Sequence, residues 1–254
     1  MRANLRTLTG VLVFLALWET ASRTGILDER SVPPPSVVLV AFVHVLGDPN
    51  FRAGAVSTVL SWVVAVVLAT VVGVSLGLLL GSLPRLRWAG TTVVEFLRPL
   101  PGVALIPLVI ALVGTDAQTK IVLATFAAVW PVLFNTLHAL GEVDPVLDEV
   151  ATSYRVATWR TVLWVRIPGT LPFVLTGVRF AASVALISLV GTEFLTRGAV
   201  GLGQFIYVSA GSAGRMDLVF AGAVFAGLVG LLADTAINGV RRRLLPWARG
   251  GGAT

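Results

Sequence analysis

The 254-residue chain contains no cysteine, which excludes a disulfide framework, a thiolate metal centre and a cysteine nucleophile. It has two histidines, His44 and His138, far apart in sequence and neither within an HExxH pattern, so no local histidine metal motif exists. No metal ligand set is expected. Its one lysine, Lys120, follows Gln118 and Thr119, so the glycine-rich phosphate loop that ends in Gly-Lys-Ser/Thr is missing. If ATP drives this protein, another polypeptide binds it. With no serine–base pair either, a membrane-embedded enzyme ranks last among the readings and no catalytic residue is expected. Charge is also scarce: 13% of residues are Asp, Glu, Lys or Arg, about half the share usual in soluble domains.

What fills that space is apolar. Hydrophobic residues make up 56% of the chain and the mean hydropathy is +0.90, spread along the whole length. This is the composition of a polytopic membrane protein. The net charge of +6 does not point to nucleic acid, because the bases fall mostly between or beyond the apolar runs. No repeat recurs at a fixed period. The economical architecture is all-α, with six transmembrane helices in one domain spanning 1–254, a core at 52–245 and a polar loop at 142–172.

The first apolar run, Leu8 to Trp18, is short for a span. It reads either as a signal peptide with small residues near Thr20-Ala21-Ser22 or as a retained first span, and the six-span topology requires the second. Val32-Pro33-Pro34-Pro35 forces extended chain, with Ser36 as the expected N-cap of an interfacial helix from Val37 to Leu46. Span two is expected from about Val56 to Leu80, with Gly73, Gly77 and Gly81 on one face for close helix approach. Span three, Thr91 to Val113, is interrupted by Pro99, Pro101 and Pro107 and carries Glu95 and Arg98 one turn apart. Span four runs from Thr119 to Leu140 with Pro131 and Asn135 inside. Span five runs from Pro172 to Leu195. A glycine-rich stretch follows, and span six runs from Met216 to Val240, where Arg241-Arg242-Arg243 stops it.

Six spans put both termini on one side. That side carries eleven of the nineteen bases, among them Arg2, Arg6, Arg155, Arg160, Arg166 and the Arg241–Arg243 run; the other side carries six. The excess orients the termini and the 142–172 loop toward the cytoplasm, and Arg179 is expected to snorkel to the inner interface.

The 142–172 loop is the longest segment unable to sit in hydrocarbon. Asp144 before Pro145 is a helix start: an acceptor at the N-cap, then a residue with φ preset for the first turn. Asp148 and Glu149 follow where the helix dipole favours anions. Leu147, Val150, Ala151 and Tyr154 form an apolar stripe at helical spacing, and Arg155 and Arg160 follow. Pro168 and Pro172 are expected to break the chain before span five. The product is a short amphipathic helix at the membrane surface.

Glu149-Val150-Ala151, followed by Val165-x-Ile167-Pro168 and the continuation Gly169 to Arg179, resembles the EAA signature of permease subunits in binding-protein-dependent ABC importers. Glu95-x-x-Arg98-Pro99-x-Pro101, Ala104-Leu105-Ile106-Pro107 and Gly201-Leu202-Gly203 are similar to the nitrate, sulfonate and taurine branch, which also includes permeases for vitamin precursors. The signature's glycine corresponds here to Arg155. Glycine ends the coupling helix there in a left-handed conformation; arginine either accepts a steric penalty or lets the helix continue. The resemblance implies a coupling helix in which Asp148, Glu149, Ala151, Arg155 and Pro168 engage a separate ATP-binding subunit. It also implies an extracytoplasmic substrate-binding protein, a second permease copy, a plasma (inner) membrane location and ATP use by the partner rather than by this chain. The solute it implies is a small polar organic or anionic compound, sulfonate-, nitrate- or taurine-like or a vitamin precursor.

Ser183, Ser188, Thr192 and Glu193 are the polar groups of span five and the candidates for a translocation path, although hydroxyls in spans more often bond their own backbone or a neighbouring helix. The competing class is an ion-coupled carrier working without an ATPase. Such carriers place acids or broken helices near mid-membrane. Here Glu19, Glu95, Glu193 and Asp217 fall near span ends, which argues against it.

Overall fold

The computed structural model describes residues 2–82, 92, 94–97, 100–114, 117–142, 145–161, 163–164, 167–196, 200–211 and 214–245. No strand occurs among them. The helices are α1 (Arg2–Arg23), α2 (Pro35–Val45), α3 (Pro49–Ser82), a 3-10 turn (Gly102–Leu105), α4 (Ile106–Val113), α5 (Ala117–Gly141), α6 (Pro145–Ser153), α7 (Thr158–Thr161), α8 (Ile167–Leu195), α9 (Leu202–Gly211) and α10 (Met216–Leu244). Four of them, α3, α5, α8 and α10, are long and apolar enough to cross a membrane. By contacts the chain divides into two compact units, Met1–Val59 with Glu193–Val229, and Leu60–Thr192 with Gly230–Thr254.

In the first unit, Phe51 is almost wholly buried and meets Phe205 and Phe225 edge-on at 5.1 and 5.2 Å. Ala41, Val45, Ala55, Leu202 and Ala221 complete that core. Helix α1 joins through Trp18, whose ring lies 5.5 Å from Phe220. Ser36 is not the cap of α2. The helix starts at Pro35, and Ser36 instead gives its backbone N–H and hydroxyl to Glu19 at 3.0 and 2.7 Å. A carboxylate from α1 thus satisfies an orphan amide of the first turn of α2. Helix α3 begins seven residues before the expected Val56. Asp48 accepts the Asn50 N–H at 2.9 Å and Pro49 follows it, so Asp-Pro starts a helix here rather than ending the previous one.

The second unit is built on small side chains. Ala65, Ala69, Ala124, Ala128, Ala181 and Ala185 are buried together with Val132 and Leu189. Gly73 and Gly77 face Val132 and Thr136, so a Cβ at either glycine would come within 2.8 and 2.6 Å of those side chains. Gly81 meets Leu140 in the same way. The glycines four apart in α3 therefore mesh with residues four apart in α5, the close approach expected of small residues in spans. Gly177 of α8 sits 3.0 Å from Asn135 and the Pro131 carbonyl by the same measure, and Trp62 donates to the Ala182 carbonyl at 2.8 Å. Outside this core, Leu60, Val64, Val67 and Val71 are exposed along α3, a face suited to lipid rather than water.

Two further boundaries differ from expectation. Pro168 and Pro172 do not break the chain: α8 begins at Ile167, Pro168 falls in its first turn where no amide is missed, and Pro172 lies inside it. Arg241–Arg243 does not stop α10, which runs to Leu244, because arginine is a good helix former and cations suit a helix C-terminus. The third span is broken as expected, with residues 94–97 helical, then the 3-10 turn and the eight-residue α4. Of its expected pair, Glu95 is exposed, and Arg98 lies outside the described residues. Lys120 is not a loop cation; it sits in the first turn of α5 at 1% exposure.

Candidate functional site

Helix α6 starts at Pro145, as the Asp-Pro dipeptide requires, and ends at Ser153. Arg155 has φ of +53°, the one non-glycine residue in the left-handed region among those described. The Val156 N–H reaches back to the Ala151 carbonyl at 2.9 Å, and the Tyr154 N–H bonds the Val150 carbonyl at 3.0 Å. With Arg155 as the left-handed residue, the bond from Val156 to Ala151 is the six-to-one bond of a Schellman cap. The helix therefore ends at the signature's glycine position, and arginine takes the glycine conformation. Its side chain is exposed.

Beyond the cap, α7 turns once, and the two pieces enclose a groove of about 400 Å³ lined by Val150, Ala151, Tyr154, Val156, Arg160 and Trp164. Ala151 forms its floor, 9% exposed. The aromatic walls are open: Tyr154 is 80% exposed and Trp164 73%. The Arg160 guanidinium stands 5.2 Å over the Trp159 ring, within cation–π range. Glu149 is exposed beside this groove, and its carbonyl accepts the Ser153 hydroxyl at 2.9 Å. The side chain of Asp148, together with Asp144 and Arg166, lies outside the described residues. Pro168 is half-buried in the first turn of α8. Exposed Tyr154 and Trp164 thus flank a small-residue floor, with Arg160 among the lining side chains.

The span-five candidates do not share one environment. Ser183 is exposed and Ser188 half-buried. Thr192 is buried, and its hydroxyl donates to the Ser188 carbonyl at 2.8 Å, the local backbone bond of a span hydroxyl. Glu193 is wholly buried, yet it lies in the last turn of α8 in a built acceptor site. Thr58 donates to its carboxylate at 2.8–2.9 Å, and the Gly203 N–H donates to Oε2 at 3.0 Å. Sequence reasoning missed Thr58, which sits 135 residues away and carried no local signal. It also missed the partner of Arg179. That guanidinium pairs with Asp234 through both Nε and Nη2, and Asn238 donates to the same carboxylate at 3.0 Å. Arg179 is thus held by an acid of α10 instead of only reaching for the interface.

Apolar helices of spanning length that mesh through glycine define a polytopic α-helical membrane protein. The chain belongs to the family described as binding-protein-dependent transport system inner membrane component, whose profile matches residues 69–249. It is similar to the taurine transport system permease protein of Escherichia coli K12, 28% identical over 242 residues that cover 92% of this chain and 86% of that one. It is also similar to the nitrate import permease protein of Synechococcus elongatus, 28% identical over 250 residues (93% and 88%). The bicarbonate transport system permease protein of Synechocystis is 27% identical over 248 residues, with 93% and 87% covered. In fold it matches a chain of the MetNI methionine ABC transporter in an inward-facing conformation, with a TM-score of 0.65, 24% identity, and 77% of this chain and 96% of that one covered. The protein is a multi-pass membrane permease of the ABC importer family.

Proposed function

We propose that this chain is one permease domain, 1–254, forming the solute path of an ATP-driven importer and receiving its stroke through the 142–172 loop. The observation that carries the reading is the α6–α7 groove: a helix ended by a Schellman cap, a small-residue floor at Ala151 and open aromatic walls. Asp148, Glu149, Ala151, Arg155 and Pro168 belong to the surface that docks a separate ATP-binding subunit, which supplies the nucleotide site this chain lacks. Helix α1 and the broken 92–113 segment complete six spans beside the four long helices. The excess of bases puts the loop and both termini in the cytoplasm of a cell whose inner membrane holds the protein. A second permease copy completes the pathway, and an extracytoplasmic binding protein delivers solute. ATP-driven movement of the docked subunits switches access by favouring one of two states. No bond in the solute changes. Taurine, nitrate and bicarbonate, named for the relatives, support a small anionic or zwitterionic compound as the solute.

The test is reconstitution of the permease with its ATPase and binding protein in liposomes, with labelled taurine and nitrate as probes. Uptake that requires ATP and is abolished by Glu149→Lys, with the protein still present in the membrane, supports the reading. Solute accumulation by vesicles holding this chain alone, driven by an ion gradient, would replace it with an ion-coupled carrier.

A further inference from the structure

Helix α9 has an unusual amino end. Its N-cap is Gly201, whose carbonyl accepts the Phe205 N–H at 3.1 Å and which has no side chain to satisfy the orphan amides. The acceptors come from elsewhere in the chain. The Leu202 N–H donates to the Thr58 hydroxyl at 2.8 Å. That hydroxyl in turn donates a hydrogen bond to Glu193 at 2.8–2.9 Å, and Glu193 also accepts the Gly203 N–H directly at 3.0 Å. Thr58 and Leu202 are 1% exposed and Glu193 is fully buried. A methyl on Gly201 would land within the Glu193 carboxyl group, so the glycine is what lets the carboxylate reach the helix end. Gly54 gives the same clearance on the other side, 2.9 Å from the Gly201 carbonyl by the same measure. The carboxyl oxygens also sit at the positive pole of the helix dipole.

Helix α9 forms one wall of a cavity of about 570 Å³. Gln204 and Ser209 line it from α9, Asn50 and Gly54 from α3, and Arg215 from the segment before α10. Ser209 is 5% exposed and lines this space. Neither Glu193 nor Thr58 lines it. The acid at the end of span five is therefore set behind the wall, not in the chamber.

We infer that Glu193 and Thr58 are positioning residues: together they clamp the amino end of α9 and so fix the polar wall of this chamber, without Glu193 meeting solute. The link to transport rests on the permease reading; the clamp itself does not. The chain has no cysteine, so Ser209→Cys supplies a single thiol in that wall. Its modification by N-ethylmaleimide in native membranes needs no ATPase or solute, and a failure here is distinct from a failure of the permease reading. Against the Ser209→Cys parent, Thr58→Val removes the relay at nearly constant shape, and Gly201→Ala displaces the carboxylate from a different segment. Each is expected to raise the modification rate about tenfold, the effect of orphaning buried polar groups, while Thr58→Ser keeps the parent rate. In reconstituted transporter, Thr58→Val and Gly201→Ala reduce uptake together and Thr58→Ser restores it. Parent-like modification in both Thr58→Val and Gly201→Ala would overturn the clamp. So would a loss in Thr58→Ser equal to that in Thr58→Val, since it would tie the effect to the threonine methyl rather than the hydroxyl. If Thr58→Val does not accumulate in membranes, Gly201→Ala and Glu193→Gln carry the same comparison.

Discussion

Arg155→Gly should stabilise the turn that ends α6. The left-handed region costs an L-residue about 1–2 kcal/mol because Cβ crowds the next carbonyl, and Arg155 sits there with φ of +53°. Glycine removes that cost but brings more unfolded-state entropy, about 0.5–1 kcal/mol. The net is roughly 0.5–1 kcal/mol in favour of the variant. The Arg155 side chain is exposed, so little packing is lost. The readout is hydrogen exchange of the Tyr154 and Val156 amides, which close the cap onto Val150 and Ala151. Local opening should become about two- to fivefold rarer, because 1.4 kcal/mol is about tenfold in an equilibrium. Arg155→Val should move the other way, since a β-branched residue is a stronger outlier at positive φ. Faster exchange in Arg155→Gly would refute the strain argument and show that the guanidinium makes a contact worth more than the backbone penalty. Uptake separates a further point: a stiffer cap that transports normally means the bend is needed only as a static shape.

Three other outcomes follow from the geometry. Glu149→Lys reverses the charge beside the Ala151 groove and should abolish uptake while membrane abundance, measured by immunoblot, stays unchanged. Gly77→Ala places a methyl 2.6 Å from the Thr136 side chain; overpacking of this kind costs about 1–3 kcal/mol and should lower the thermal aggregation temperature in detergent, with Thr136→Ser giving partial relief. Arg179→Leu leaves the Asp234 carboxylate with Asn238 as its remaining partner of the trio; the pair is partly exposed, so the loss should stay at about 1 kcal/mol, and the double variant Arg179→Leu with Asp234→Leu should recover most of it in the same assay.

What could be read from the chain alone was whatever a short window encodes. Apolar runs fixed the long helices, because hydropathy is summed over neighbours. The four-residue glycine spacing of α3 pointed to close approach, and Val132, Thr136 and Leu140 of α5 answer it at the same spacing. The start of the loop's helix was legible too, because Asp-Pro is a local signal; whether the helix ended at Arg155 or ran through it was open, and the φ of +53° at Arg155 decides for an ending. Proline was misread for an instructive reason. Pro168 looked like a break only because the start of α8 was unknown; in the first turn a proline misses no bond and its fixed φ favours the helix, whereas Pro172 lies inside α8 and the helix continues through it at the loss of one backbone bond. The buried polar pairings were out of reach. Thr58 and Glu193 are 135 residues apart, and Arg179 and Asp234 are 55 apart, so no window contains both partners. Glu193 shows how this matters for function. As a lone acid at the end of an apolar helix it reads as a candidate path residue. With a hydroxyl and an amide already directed at it, it is an acceptor in use. A group so engaged can serve transport by holding α9 in place, and a carrier mechanism would have to break those bonds at every turn of the cycle.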